Sequence, residues 1–311
     1  MSLLEISELK VDFSTPEGMV RAVDKMSLEI RNGEALGLIG ESGCGKSTMG
    51  LSVMRLLPQN AHTEGRILYR GRDLLKIGEH EMRQVRGKEI AMIFQDPLTS
   101  LNPVLTIGEQ ICEAIRLHQG LGKKQAKERA VEILKALRVP LPSKRVSEYP
   151  HQLSSGMRQR AMIAVALASK PSLIIADEPT RGLDLIRQAE VLKLMKELKS
   201  STSMLFITHD LGVAAGVCDH IAVMYAGEIV EYSSAQEILN RGKHPYTLGL
   251  LDSIPRKGLK PIEGSSPSLI NPPQGCKFHP RCSSTTKQCS QKRPGEIEIG
   301  EEHFVRCFLY A

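Results

Sequence analysis

Ala35-Leu36-Gly37-Leu38-Ile39 is a short apolar run that leads directly into Gly40-Glu41-Ser42-Gly43-Cys44-Gly45-Lys46-Ser47. Residues 48–57 then carry a helical pattern as far as Pro58. The eight central residues fit G-x-x-x-x-G-K-[ST] in the setting the motif needs, behind a buried strand and ahead of a helix. Glycines there let backbone N–H groups curl around phosphate oxygens at the positive end of a helix. Gly40, Ser42, Gly43, Cys44 and Gly45 are the candidate cradle. Lys46 reaches β- and γ-phosphates, Ser47 holds Mg²⁺, and Thr48 donates to the α-phosphate. The stretch predicts a nucleotide-binding α/β fold.

Outward from this loop, apolar runs of strand length alternate with helical patterns, as in a largely parallel sheet. Leu173-Ile174-Ile175-Ala176 and Met204-Leu205-Phe206-Ile207 are two such runs. The first ends in Asp177-Glu178, which places one carboxylate toward the Mg²⁺ shell and a second, Glu178, where it orients an attacking water. Near the start, Leu9, Val11 and Phe13, then Met26, Leu28 and Ile30, alternate as antiparallel strands do. Between 95 and 154 the period becomes helical: Ile107, Ile111 and Ile115 with Ala114 and Leu117 form one stripe, and Ala130, Ile133, Leu134 and Leu137 another. Pro140, Pro142 and Pro150 then interrupt any helix. From about residue 253, Pro255, Pro261, Pro267, Pro272 and Pro273 mark a linker.

Composition excludes several classes. In 311 residues, 41% are hydrophobic and 24% charged, which is ordinary globular usage. The longest apolar stretches are shorter than the roughly 20 residues of a membrane-spanning helix. The first residues are too polar for a signal peptide, so a cytoplasmic protein is expected. A net charge of +6 from scattered residues, with aromatics at 4% and no Trp, gives no nucleic-acid footprint.

Taken together these signals resemble the ATP-binding-cassette (ABC) ATPases. Leu153-Ser154-Ser155-Gly156-Met157 looks like the family signature, Gln95 like the Q-loop glutamine, Leu183-Asp184 like the D-loop and His209 like the switch histidine. Phe13 stands where the family places an aromatic against adenine. The resemblance covers roughly residues 1 to 250 and implies two such domains facing head to tail, with ATP and Mg²⁺ at the interface. Ser154 and the Gly156 amide then contact a γ-phosphate bound on the partner, Gln95 joins Ser47 and Asp177 around Mg²⁺, and Glu178 and His209 act in cis. The implied organisation is a core at 1–95 and 160–250 with an antiparallel β subdomain, a helical signature insertion at 96–159, and a tail at 251–311.

A narrower resemblance lies in Asp96-Pro97-Leu98-Thr99-Ser100-Leu101-Asn102-Pro103, Tyr149-Pro150-His151 and His244-Pro245-Tyr246-Thr247. These look like the ATPases of dipeptide and oligopeptide importers, a subgroup that also includes nickel importers. The resemblance implies a second ATPase subunit, two membrane permeases and an extracytoplasmic solute-binding protein, with this chain peripheral on the cytoplasmic face. Coupling helices of the permeases are expected in a groove near 95–103. A soluble cassette acting on DNA or ribosomes is the rival; it usually carries two cassettes or a long coiled coil, and neither is present. Ser155 departs from the signature's usual glycine, and the hypothesis it raises is a slower composite site.

Cys276, Cys282, Cys289 and Cys307 crowd the tail, separated by five, six and seventeen residues. Structural zinc usually uses pairs about two to four residues apart. Wider spacing suits an iron–sulfur cluster, and the subgroup resemblance also implies [4Fe–4S]. Zinc and free or redox-sensing thiols are the alternatives, and His279 and His303 are not expected as ligands.

Overall fold

The computed structural model describes residues 2–254 and 260–311; Pro255, the first of the linker prolines, lies outside them. The chain forms two compact units, Met1–Lys76 with Leu205–Ala311, and Ile77–Met204.

In the first unit an antiparallel sheet runs in the order Gly18–Arg31, Ser2–Thr15, Ala61–Tyr69, Arg72–Asp73. Leu9, Val11, Met26, Leu28 and Ile30 are buried in it, as alternation predicts. Leu4 and Ile6 share the buried set with Leu9 and Val11 although the parity changes between them. A register shift between Ile6 and Leu9 accommodates this, with Glu8 at φ 49. One extra residue in a bulge returns the apolar side chains to the same face.

The fully buried strand Ala35–Ile39 pairs in parallel with His220–Tyr225, from Leu36 opposite His220 to Ile39 opposite Val223. Glu228–Ser234 folds back antiparallel on His220–Tyr225. The C-terminal segment then joins the same sheet: His303–Val305 pairs with Glu228–Ser234, and Ile297–Gly300 with His303–Val305. These two strands were not anticipated from sequence. They are three and four residues long, too short for a period to register, and Val305 is buried only because a partner strand 70-odd residues upstream receives it.

Charge also pins the tail. Lys277 Nζ, itself buried, lies 2.8 Å from Asp24 and 2.9 Å from Glu228, and donates to the Ala226 carbonyl. Burial pushes the Asp24 carboxyl up, yet the hydrogen bond from Lys277 together with the charges of Lys277, Arg293 and Arg21 outweighs it and holds the group below the usual carboxylate range. Removing one partner of such a buried pair typically costs about 3–5 kcal/mol.

In the second unit Ile90–Ile93 and Leu173–Asp177 form a parallel pair with every residue buried. The helix Ile107–Gln119 begins with a capping box in which Thr106 Oγ1 accepts from the Glu109 N–H and Glu109 returns a carboxylate to the Thr106 N–H. Ile107, Ile111 and Ile115 form its buried stripe, but Leu117 is 74% exposed. Two residues past Ile115 a helix has turned about 200°, so Leu117 faces away. The stripe of Lys123–Ala136 and the residue that caps it holds as read: Ala130, Ile133, Leu134 and Leu137 are buried. Pro142 and Pro150 open a short helical turn each, Pro142–Arg145 and Pro150–Gln152, at the first position where the missing N–H costs nothing. No helix among the described residues is long and apolar enough to cross a membrane.

Candidate nucleotide site

The cradle, Phe13 and His209 belong to the first unit; Gln95, Ser154, Gly156, Asp177, Glu178 and Asp184 belong to the second.

Ala35–Ile39 delivers the chain to Gly40, and the helix Lys46–Met54 leaves from Gly45. Gly45 sits at φ 109, and a Cβ there would lie 2.1 Å from the Ala22 carbonyl oxygen. At Gly40 a Cβ would lie 2.2 Å from the Met224 carbonyl oxygen. Both positions therefore demand glycine, one for conformation and close approach, the other for close approach alone. Gly45 as N-cap offers no side chain to the first-turn amides, which have no intrahelical acceptor and are left for a ligand. Ser42 and Gly43 are exposed, and Ser47 and Thr48 are half-buried on that first turn.

Lys46 is buried and its Nζ donates to the carbonyls of Gly40 at 2.6 Å and Glu41 at 2.9 Å. Cys44 is buried beside it, Sγ 3.9 Å from Nζ, and burial pushes its thiol up, so it is not a reactive thiolate. Glu41 is fastened more firmly than the motif foretells. Its N–H donates to the Tyr246 hydroxyl at 2.9 Å, and its carboxylate takes a two-pronged ion pair from Arg281 at 2.8 and 3.0 Å and a hydrogen bond from Ser266 at 2.5 Å. Tyr246, Ser266 and Arg281 escaped sequence reading because they stand 205, 225 and 240 residues from Glu41. The His244-Pro245-Tyr246-Thr247 stretch does supply a signal, since it starts the helix Pro245–Asp252 and aims Tyr246 at the loop. Phe13 is half-buried opposite Val20 and Ala61. His209 is exposed just past the buried strand Ser203–Thr208.

In the second unit Asp177 closes its strand with 5% exposure, and Glu178 follows at 8% exposure with φ 46. A left-handed conformation costs a non-glycine residue roughly 1–2 kcal/mol. Such strain collects where a side chain must be aimed for function. Gln95 is half-buried at the bend after Ile90–Ile93. Ser154 is the exposed N-cap of the helix Ser155–Leu167, its hydroxyl accepting from the Met157 N–H at 3.4 Å. Asp184 caps the helix Leu185–Lys199, accepting from the Arg187 N–H at 3.0 Å. Arg187 Nη1 donates to Ser155 Oγ at 2.9 Å and its Cδ would lie 3.2 Å from a Cβ on Gly156. Thus the structure brings Ser155, Gly156 and Asp184 together on one arginine that the sequence reading did not single out.

The hydroxyl of Ser47, the amide oxygen of Gln95 and the carboxylate of Asp177 are hard oxygen donors of the kind Mg²⁺ takes. The tail differs. Cys276, Cys282, Cys289 and Cys307 line one cavity of about 120 Å³ with His244, Phe278 and His279. All four are free thiols. Burial pushes Cys276 up to about 11 and raises Cys282 and Cys307, whereas at Cys289 hydrogen bonding from Thr286 overcomes burial and lowers it. His244 is lowered by burial to about 3 and stays neutral, its Nδ1 accepting from the Tyr246 N–H. Among the described residues no group of three or more His, Cys, Asp or Glu is arranged to hold a metal ion.

Comparison with known proteins bears on these sites. The family model described as ABC transporter matches residues 23–181. One described as oligopeptide/dipeptide transporter, C-terminal region, matches residues 230–289. The oligopeptide transport ATP-binding protein OppD of Bacillus subtilis is 46% identical over 317 residues, covering 99% of this chain and 88% of that one. The dipeptide transport ATP-binding protein DppD of the same organism is 45% identical, covering 99% and 94%, and OppD of Escherichia coli is 45% identical, covering 99% and 93%. Among solved structures, the ATP-binding cassette MJ0796, dimeric and bound to ADP and Pi in a post-hydrolysis state, matches with a TM-score of 0.67 at 27% identity, covering 75% of this chain and 98% of that one.

Proposed function

Because the chain belongs to the ABC transporter ATP-binding proteins, in the branch that carries the oligopeptide/dipeptide C-terminal region, we propose that it is the ATP-hydrolysing subunit that energises a peptide importer. The observation that carries the transport reading is coverage: peptide-transport ATP-binding proteins match 99% of the chain, tail included.

Two ATP bind a head-to-tail dimer, each held by one subunit's cradle and the other's signature. Amides from Gly40 to Gly45 and Lys46 take the β- and γ-phosphates, Thr48 the α-phosphate, and Phe13 lies against adenine. Ser47, Gln95 and Asp177 would hold Mg²⁺, which would supply neutralisation of the phosphate charge. Glu178 orients the attacking water and His209 reads the γ-phosphate. Ser154 and the Gly156 amide approach the partner's nucleotide, with Asp184 at the same interface. The core at 1–95 and 160–250 binds ATP, the insertion at 96–159 carries the signature, and 251–311 is the tail.

The chain docks at the inner face of the membrane on two permeases, with a second ATPase subunit beside it and a solute-binding protein outside. Leu98 within the turn Pro97–Ser100 and Val104 just after it, 59% and 75% exposed, supply apolar surface for that docking. The four tail cysteines hold a [4Fe–4S] cluster of structural role, a reading supported by four thiols around one cavity. Iron and acid-labile sulfide in anaerobically purified protein are expected at about four each per chain; finding neither ends the cluster reading. For the transport reading, the chain should co-purify with permeases, and the reconstituted complex should hydrolyse ATP faster with a peptide-loaded binding protein. ATP turnover indifferent to peptide refutes it.

A further inference from the structure

We propose that Arg281 is a positioning residue of the ATP site, holding Glu41 of the phosphate loop, and through Glu41 the backbone that receives Lys46, from the C-terminal segment. Every polar group of Glu41 is engaged. Its N–H goes to Tyr246, its carbonyl accepts from Lys46, and its carboxylate accepts from Ser266 and from both prongs of Arg281.

Arg281 is itself held. Its side chain is 6% exposed, Nε donates to the Glu263 carbonyl at 2.9 Å, and the guanidinium lies over the Tyr225 ring at 5.9 Å. The turn that carries it, His279–Arg281, follows Phe278, which packs edge-on against Tyr225 at 5.1 Å and against Tyr246 at 5.5 Å. One residue earlier, Lys277 locks to Asp24 and Glu228. Lys277 and Phe278 therefore anchor the segment that carries the fork onto the loop.

Two consequences follow for a bound triphosphate. The fork fixes the Glu41 carbonyl that receives Lys46, so it fixes where the lysine starts from. It also neutralises a carboxylate of the phosphate loop itself, whose uncompensated charge would repel a bound triphosphate. Without Arg281, the half-buried Glu41 charge stands against the ligand.

This inference rests on the ATP-binding reading above, and the test separates the two. Binding of a fluorescent ATP analogue with Mg²⁺ is measured on the full chain, with Lys46→Ala as reference. Arg281→Gln should raise Kd about tenfold, the loss of a charge-assisted pair. Arg281→Lys keeps the cation but not the fork and should raise it about threefold. Glu41→Gln/Arg281→Gln, which removes the stranded charge, should bind more tightly than Arg281→Gln alone, with both measured well below their melting transitions so that recovered stability is not read as recovered affinity. If Arg281→Gln does not fold, Arg281→Lys decides. Wild-type affinity in Arg281→Lys, or a double variant no better than Arg281→Gln, overturns the inference while ATP binding stands. A wild-type chain that binds no ATP overturns both.

Discussion

The phosphate cradle and the signature segment are both helix N-termini, and they are built in opposite ways. At the cradle the N-cap is Gly45, which gives the first-turn amides nothing, and the loop is buried around Lys46. At the signature the N-cap is Ser154, whose hydroxyl already satisfies the Met157 amide, and the residue is exposed. An uncapped end keeps its donors for a ligand brought into its own chain. A capped, exposed end is stable alone and presents one hydroxyl outward, which suits a nucleotide carried by another subunit. The asymmetry is what the proposed head-to-tail arrangement requires, in which each chain supplies half of each site.

Breaking the cradle should have the larger effect. Lys46→Ala should weaken Mg-ATP binding by a hundredfold or more, about 3 kcal/mol, in a direct nucleotide-binding assay; near-normal affinity would mean that the loop is not the triphosphate site. Glu178→Gln leaves both helix ends intact, so ATP binding should persist while turnover drops roughly 10²- to 10⁴-fold. A closed dimer should then accumulate on size exclusion, and brisk turnover by that variant is incompatible with the assigned role.

The signature end should respond differently. Ser154→Ala should cost about 1 kcal/mol of stability through the lost cap, leave nucleotide binding by the isolated chain unchanged, and slow the assembled ATPase. Loss of binding in the isolated chain would erase the contrast between the two ends. Ser155→Gly releases Arg187 from the signature and should speed turnover about two- to fivefold, the scale of one hydrogen bond; an unchanged rate removes Ser155 as the reason for a slow site.

The smallest effect concerns pH and the tail. His220 Nδ1 is 2.7 Å from Glu34 and Nε2 3.1 Å from Glu302 of the C-terminal hairpin, with Arg31 also on Glu302 and Tyr232 stacked at 5.5 Å. The bond to Glu34 leads the causes that raise His220 above its ordinary value near about 6.5. A raised folded-state value means that the stabilisation is complete below the unfolded value and fades as pH rises through the folded one. Melting temperature should therefore fall as pH climbs past neutral, and His220→Gln should flatten that dependence. A slope identical in the variant assigns it elsewhere.

Much of the local structure around the candidate site was readable before any coordinates. The loop from Gly40 to Thr48, the carboxylates Asp177 and Glu178, and the cap role of Ser154 each depend on neighbours within a few residues, so local spacing reports them. The strand runs and the helical stripes were legible for the same reason, apart from Leu117, where an apolar residue was counted into a stripe whose phase excludes it. What stayed hidden depends on distant partners: Arg187 under the signature, the C-terminal hairpin on Glu228–Ser234, and the hold of Tyr246, Ser266 and Arg281 on Glu41.

By itself, then, the amino-acid order determined the strand, glycine loop and helix that a phosphate cradle needs and the family of the chain, because glycines, a lysine and paired carboxylates are placed by short-range backbone geometry. Only the tertiary structure decided that the C-terminal segment is part of the nucleotide loop's support. An ion pair between residues 41 and 281 leaves no periodic trace in the chain, and it exists only once folding has brought a buried arginine against a loop carboxylate.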